Sequence, residues 1–387
     1  MQILVKDINA LTFDVFNQLQ SAPGNLIASP LSVSIALAMT YTGAQGVTEA
    51  QMADALHFTL PQTKLHAAMN TLERTLANRG DNSISDKSSF TLKLANSLWL
   101  DIRLQVLATF LDGLALNYGA GVQLLDFFEA EAAANSINRW VSDKTNVKIP
   151  TLLTPNDVEG TLMALVNTIY FKAHWKNLFD TKNTTELPFI LNDGTEINVP
   201  MMQQTHIMGY AQGDGYQIVQ LMYEGNEVAM ILIVPDAPEV SDRTNDISHF
   251  TQLSNQINAD FIDAAVSQLQ SHQVNLTLPK WHASTYLKLR TVLEALGMHE
   301  AFTQQADFSG MTGSKDLYID SVIHQADISV DEYGTEAVAA TVVMMAPTSL
   351  PPDETVTLNI NRPFFYVICD LDTGSILFIG RVSNPAE

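Results

Sequence analysis

Apolar positions recur at helical spacing from the first residues. "MQILVKDINALTFDVFNQLQ" predicts an amphipathic helix carrying Leu11, Phe13, Val15, Phe16 and Leu19. "ASPLSVSIALAMTYTGAQG" predicts a second helix: Ser29 can cap it, Pro30 takes the first helical position and Gly43 ends it. "VTEAQMADALHF" and "PQTKLHAAMNTLERTLANRG" keep the same period, the latter stopping at Gly80. "FTLKLANSLWLD" alternates and reads as a strand. "DFFEAEAAANSINRWVSDKTN" is helical again, with Glu129 and Glu131 placed to meet the positive end of the helix dipole.

From residue 160 the pattern shortens to that of strands. "TLMALVNTIYFKAHW" is a long β-rich run, and "YQIVQLMY" and "VAMILIVPD" read as hairpin partners around Glu224, Gly225 and Asn226. "SHQVNLTLPKWHA" alternates, "TYLKLRTVLEALGMHEAF" predicts a return to helix, and "DLYIDSVIHQADISVDEYG" predicts a strand. The C-terminal "VTLNINRPFFYVICDLDTGSILFIGRVSNP" reads as two strands around Asp372, Thr373 and Gly374. Helices first and sheets later, with no repeat, low-complexity linker or charge block, predict a mixed α+β chain forming one domain over residues 1–387.

One stretch resists this reading. In "VDEYGTEAVAATVVMMAPTSLPPDE" the 16 residues after Glu336 carry no charge, and the first of them are small or β-branched, as in a strand buried on both faces. Pro347, Pro351 and Pro352 then forbid a continuous strand, since proline has no N–H to give to a ladder. It is either an ordinary strand ending in a turn or a strand with a destination elsewhere.

Composition narrows the function. The net charge of −22 repels nucleic acid and anionic lipid, so neither is an expected partner. Cys369 is the only cysteine, so an intramolecular disulfide is impossible; this fits a reducing compartment or a bacterial protein. The N-terminus lacks a basic segment followed by an apolar run and a cleavage site, which fits a cytoplasmic protein or a secreted one with a trimmed leader. No apolar run is long enough to predict a transmembrane helix. There is no nucleophile elbow, no phosphate-binding loop and no zinc-protease motif, and the nine histidines show no metal-ligand spacing. Nothing predicts an enzyme, a metal or a cofactor, and Cys369, inside "FFYVICDL", reads as an inert core thiol.

Four segments together resemble the serpin family: "SPLSVSIALAM" (29–39), "VNTIYFKAHWKNLFD" (166–180), "DEYGTEAVAA" (331–340) and "NRPFFYVICDLDTGSILFIGRVSNP" (361–385). Their order and spacing carry the resemblance through nearly the whole chain. It implies the serpin fold, with three β-sheets, eight to nine helices and an exposed reactive-centre loop at about 332–353. It also implies a monomeric, metastable suicide inhibitor whose cleaved loop inserts into the main sheet and traps a serine protease as the acyl-enzyme. The alternative within the family is a non-inhibitory binding or chaperone-like module.

The resemblance assigns residues. The hinge comprises Glu332, Gly334, Thr335, Glu336, Ala337, Ala339 and Ala340. Thr335, Ala337, Ala339, Thr341 and Val343 would share one strand face, which is uncharged and suits burial. Ser29, Ser32, Asn167 and His324 match the shutter under the middle of the main sheet; Trp175 matches the breach, where the loop enters. Glu332 matches an acid that pairs with a base there, assigned to Arg290, with Lys288 the alternative. Counting inclusively from Glu332, the seventeenth residue is Thr348, which places the scissile bond at Thr348–Ser349, with Met345, Ala346, Pro347 and Leu350 as neighbours. A threonine suits a shallow apolar pocket, so elastase-like enzymes are the expected targets, subtilisin-like ones next, and a cysteine protease a further option because it too forms an acyl-enzyme. The helix spanning 61–80 holds only Lys64, Arg74 and Arg79, which gives no basis for heparin-type activation.

Overall fold

The computed structural model describes residues 1–79, 90–119, 121–237, 246–335 and 355–387. Helix α1 (Gln2–Leu19) buries the five apolar residues picked out by its period. After β1 (Leu26–Ala28), α2 (Pro30–Tyr41) is buried along its whole length. Ser29 caps it, its hydroxyl accepting from the Ser32 N–H, and Pro30 occupies the first turn. The chain leaves α2 through Gly43, where a Cβ would collide with the Met311 side chain. Then follow α3 (Gly46–Ala55), α4 (Gln62–Ala77), α5 (Ala108–Tyr118) and α6 (Ala130–Lys144).

The first sheet holds β10 (Trp281–Lys288), β11 (Ser321–Val330), β12 (Gly334–Thr335), β4 (Met163–His174), β2 (Phe90–Asp101) and β3 (Val122–Leu125), in that order. β2 and β4 are antiparallel from Phe90–Ala173 to Leu100–Met163. β4 and β11 are parallel neighbours from Ala164–Ser321 to Ile169–Ala326. β4 is buried on both faces, hence its unbroken apolar run. On one side Ile137 and Val141 of α6 join Trp99, Val166 and Ile323 in one apolar cluster. On the other, α2 packs against β2 and β4.

The second sheet runs β1, β15 (Ile376–Val382), β14 (Phe364–Asp370), β8 (Val228–Pro235), β7 (Tyr216–Met222), β6 (Glu196–Gly213), β9 (Gln270–Pro279) and β13 (Thr355–Asn359), with β5 (Thr185–Ile190) also on β6. Among the described residues the strands thus form two hydrogen-bonded sheets where three were expected. The reason is β6, 18 residues long. It pairs with β5 at its start, with β7 at its end and with β9 between, so it fuses two layers into one ladder.

Ten α-helices lie among the described residues, the last four being α7 (Asp246–Gln256), α8 (Ala259–Ser267), α9 (Arg290–Ala295) and α10 (Ser309–Thr312), against an expectation of eight to nine. The helix expected over "TYLKLRTVLEALGMHEAF" begins as strand: β10 runs on to Lys288 because Tyr286 and Leu287 pair with Gln325 and His324 of β11, and α9 keeps only six residues. The C-terminal region adds β13, parallel to β9, to the two strands expected there. No helix among the described residues is long and apolar enough to cross a membrane.

Candidate functional site

The main sheet contains a seam, and the hinge is wedged into its upper end. After β11 the chain turns at Asp331, whose carboxylate accepts from the N–H groups of Tyr333 (2.8 Å) and Gly334 (3.2 Å). This side-chain-closed turn reverses direction. Gly334 and Thr335 then run antiparallel to both neighbours: Thr335 pairs with Val330 of β11 and Ala173 of β4, and Gly334 with His174. Gly334 has φ +152°, and a Cβ there would fall on the Ala173 carbonyl oxygen and lie 2.8 Å from the His174 Cα, so only glycine fits. Thr335 is fully buried, its hydroxyl 2.7 Å from that of Tyr223. Lower down, β11 and β4 pair directly, so over residues 321–326 no strand lies between them.

Aromatic and polar groups hold the hinge at this breach. Tyr223 stacks on Trp175, ring centroids 4.5 Å apart. The Trp175 indole N–H donates to the Asp331 carbonyl (3.0 Å), its backbone N–H donates to the Tyr333 carbonyl (2.9 Å), and the Phe179 N–H donates to the Glu332 carbonyl (3.0 Å). The buried Glu332 carboxylate accepts from the Thr184 hydroxyl (2.7 Å) and pairs with Lys280 Nζ (2.9 Å). Burial opposes its charge, but the Lys280 and Thr184 bonds outweigh it and hold its pKa below the usual carboxylate value.

The expected partners of Glu332 are therefore corrected. Arg290 binds Glu294 at 2.9 Å and the Phe302 carbonyl at 3.2 Å, and Lys288 binds Asp157 at 2.6 Å. Geometry explains the error. Lys280 precedes Trp281, which pairs with Val330 beside the breach, while Lys288 pairs with Ile323 at the far end of β11. The two ends of β10, Trp281 and Lys288, are seven residue steps apart, roughly 23 Å.

The structure brings Ser29, Ser32, Asn167 and His324 together. His324 Nδ1–H donates to Asn167 Oδ1 (2.5 Å), while its Nε2 accepts from the Ser29 N–H (3.1 Å). Asn167 Nδ2 donates to Ser32 Oγ (2.5 Å) and to Asn96 Oδ1. These partners fix His324 as the neutral Nδ1–H tautomer, and burial drives its pKa down to about 3. Asn96 was missed in the sequence. It pairs in register with Asn167, which pairs with His324, so one polar side chain from each of three adjacent strands forms a row across the sheet. The available signal was a lone asparagine in the alternating run "FTLKLANSLWLD".

Glu336, Ala337, Ala339, Ala340, Met345, Ala346, Pro347, Thr348, Ser349 and Leu350 lie outside the described residues. Cys369 is part-buried, and burial with the nearby Asp370 charge pushes its thiol up to about 12, so the nucleophilic thiolate is not populated at neutral pH. Among the described residues no group of three or more His, Cys, Asp or Glu is arranged to hold a metal ion.

Two outcomes are expected. In the unfolded chain His324 takes a proton near 6.5, in the fold only near 3. Between these values the unfolded state binds one more proton, so this histidine's contribution is complete above about 6.5 and drains away on acidification to about 3. His324→Gln should flatten the pH dependence of urea-unfolding free energy by about 1.4 kcal/mol per pH unit over that window; a slope equal to wild type refutes the assignment. Tyr223→Phe leaves the buried Thr335 hydroxyl unpaired, a loss of about 1–3 kcal/mol, and should speed hydrogen exchange at the Thr335 amide at least about fivefold. Unchanged exchange would mean that Tyr223 does not hold the hinge.

A family model described as Serpin (serine protease inhibitor) matches residues 6–385. The leukocyte elastase inhibitor of Xenopus laevis is 35% identical over 380 residues, spanning 96% of this chain and 97% of that protein. The leukocyte elastase inhibitor of Homo sapiens is 34% identical over 369 residues, spanning 94% and 93%. Among solved structures, Tengpin, a thermophilic serpin in the native state, superposes with a TM-score of 0.84 at 27% identity, over 98% of this chain and 94% of that one. Thyroxine-binding globulin in complex with thyroxine gives 0.83 at 27% identity, over 99% of each. The two elastase inhibitors are vertebrate proteins, which lends no support to a bacterial source. The chain belongs to the serpin family.

Proposed function

We propose that this protein is a suicide-substrate inhibitor of serine proteases that traps its target as an acyl-enzyme by inserting the cleaved reactive loop as a new strand between β11 and β4. The carrying observation is the seam. β11 and β4 are parallel and pair directly below a hinge that already runs antiparallel between them. A strand continuing from Thr335 replaces one parallel ladder with two antiparallel ones, and antiparallel pairing is the stronger per residue. Inserting about a dozen residues forms on the order of ten new hydrogen bonds at roughly 0.5–1.5 kcal/mol net each, or about 5–15 kcal/mol, comparable to the whole stability of an ordinary domain.

The target reading rests on the bait. Thr348–Ser349, outside the described residues, is the proposed scissile bond, and a threonine there favours elastase-like and then subtilisin-like enzymes. The similarity to leukocyte elastase inhibitors supports the same class. A non-inhibitory binding or chaperone-like role draws support from the match to thyroxine-binding globulin in complex with thyroxine. Against it stands a hinge already seated in the sheet, with a small, fully buried Thr335 at its leading end.

Mixing the 42.5 kDa chain with an elastase, a subtilisin or trypsin and boiling in SDS separates the readings. A band near the summed masses with elastase or subtilisin is expected; cleavage without complex for every protease overturns the inhibitory reading. Thr335→Arg would put a charge into a fully buried slot and should turn the inhibitor into a substrate, cleaved at an unchanged rate with loss of nearly all complex. Full complex yield from that variant would sink the insertion account. Thr348→Arg should redirect trapping to trypsin; trapping of trypsin by wild type but not by the variant would place the bait bond elsewhere.

A further inference from the structure

On the far side of β2 from the seam, a cavity of about 290 Å³ opens between α2, α4, α5, α6 and the first sheet, near the lower end of the size range of small-molecule sites. Its walls include Met39, Glu73, Asn96, Tyr118, Trp140 and Lys144. Glu73 is the unusual member. It has neither an ion pair nor a hydrogen bond among the described residues, and burial raises its carboxyl to about 7. Lys144 stands exposed at the rim and makes no ion pair with it.

The neighbouring phenol has no proton to offer Glu73. The Thr42 hydroxyl donates to the Ala38 carbonyl at 3.2 Å, so towards His66 Nε2, 3.5 Å away, it offers a lone pair, which suits the Nε2–H tautomer of the ring. Burial lowers the His66 pKa to about 4, so the ring is neutral at pH 7 and its Nδ1 is bare. Nδ1 therefore accepts the Tyr118 O–H at 2.6 Å. Tyr118 is left presenting lone pairs, and the Glu73 charge pushes its pKa further up. A carboxyl and a phenol oxygen without a donor, flanked by the Tyr118 and Trp140 rings, form the receptor for a cation with an apolar body. A net charge of −22 draws such ions in, and the rings and Met39 suit an organic ion better than a metal, which needs more oxygen ligands.

We propose that this cavity binds a small organic cation, a primary ammonium on a single-ring apolar body, with the ammonium on the Glu73 carboxylate and the Tyr118 oxygen. Where Glu73 is protonated beforehand, binding releases that proton to solvent. The charged and titratable groups facing the bound ion are Glu73, Tyr118 and Lys144, with His66 behind Tyr118. Asn96, which ends the polar row across the sheet, also lines this cavity.

The test uses the full chain and benzylamine, by titration calorimetry at pH 7 in phosphate and in Tris. The expected result is saturable binding with release of about half a proton per ligand, seen as a heat that differs between the buffers. Glu73→Gln should weaken benzylamine at least about tenfold and abolish the proton release, and benzyl alcohol should bind at least about tenfold more weakly than benzylamine. Equal heats in the two buffers, equal affinity for benzyl alcohol, undiminished binding to Glu73→Gln, or no binding would each overturn the proposal. Removing a part-buried acid with no partner among the described residues should leave Glu73→Gln melting no lower than wild type; if it fails to fold, proton release by wild type decides.

Discussion

Two parallel strands paired side by side, with an antiparallel segment already wedged between them at one end, set the terms for this molecule. β4 and β11 satisfy each other by a parallel ladder of six residue pairs, while β4 holds β2 by an antiparallel ladder of eleven. Of the two ladders that hold β4, the one to β11, where the hinge enters, is therefore the weaker. Thr335 already holds that junction apart at its upper end, between Val330 and Ala173. Opening from there extends an existing fork, so no new break in an intact ladder is needed. On the proposed mechanism, the closed sheet would have a better-bonded state open to it.

The polar row explains how such a junction stays shut until it is needed. Asn167 and His324 face each other across it, joined by one hydrogen bond, and each is also anchored elsewhere: Asn167 to Asn96 and Ser32, His324 to the Ser29 N–H. If the strands part, Asn167 keeps Asn96, which moves with it, but Ser29 and Ser32 belong to the start of one helix, so α2 can follow only one strand and the other loses its helix contact as well. A neutral imidazole suits this role, because a charged one would have to be exposed unpaired at the moment of opening. An apolar row would part with no directional preference, and an ion pair would resist too strongly.

Much of this was legible in the sequence, and the failures share one cause. Ser29, Pro30 and the run "SPLSVSIALAM" marked the start of α2, and "TLMALVNTIYFKAHW" announced a long β-rich run, because caps and periods are local. Hinge, shutter and breach residues came from family resemblance, since nothing local distinguishes His324 from any core histidine. What failed was long-range. Lys280 was passed over for Arg290 because the pairing depends on which end of β10 meets Val330. Asn96 went unnoticed because its role exists only in register with Asn167. The third sheet disappeared because one long strand, β6, serves two layers, which alternation along that strand does not reveal.

The unequal ladders also decide what must move. If β4 keeps its hold on β2, then β2, β3 and β4 shift as one block away from β11 by about one strand spacing, roughly 4.8 Å. Helix α6 cannot ignore this, because Ile137 and Val141 share an apolar cluster with Trp99 and Val166 of the block and with Ile323 on the far side of the seam. The helix straddles the junction, so its packing must loosen while the strand passes and re-form afterwards. For the proposed insertion, the barrier would then lie largely in apolar contacts above the sheet and the driving force in hydrogen bonds within it. On the proposed mechanism, that separation would let the protein remain closed for long periods and still release substantial energy once the loop is cut.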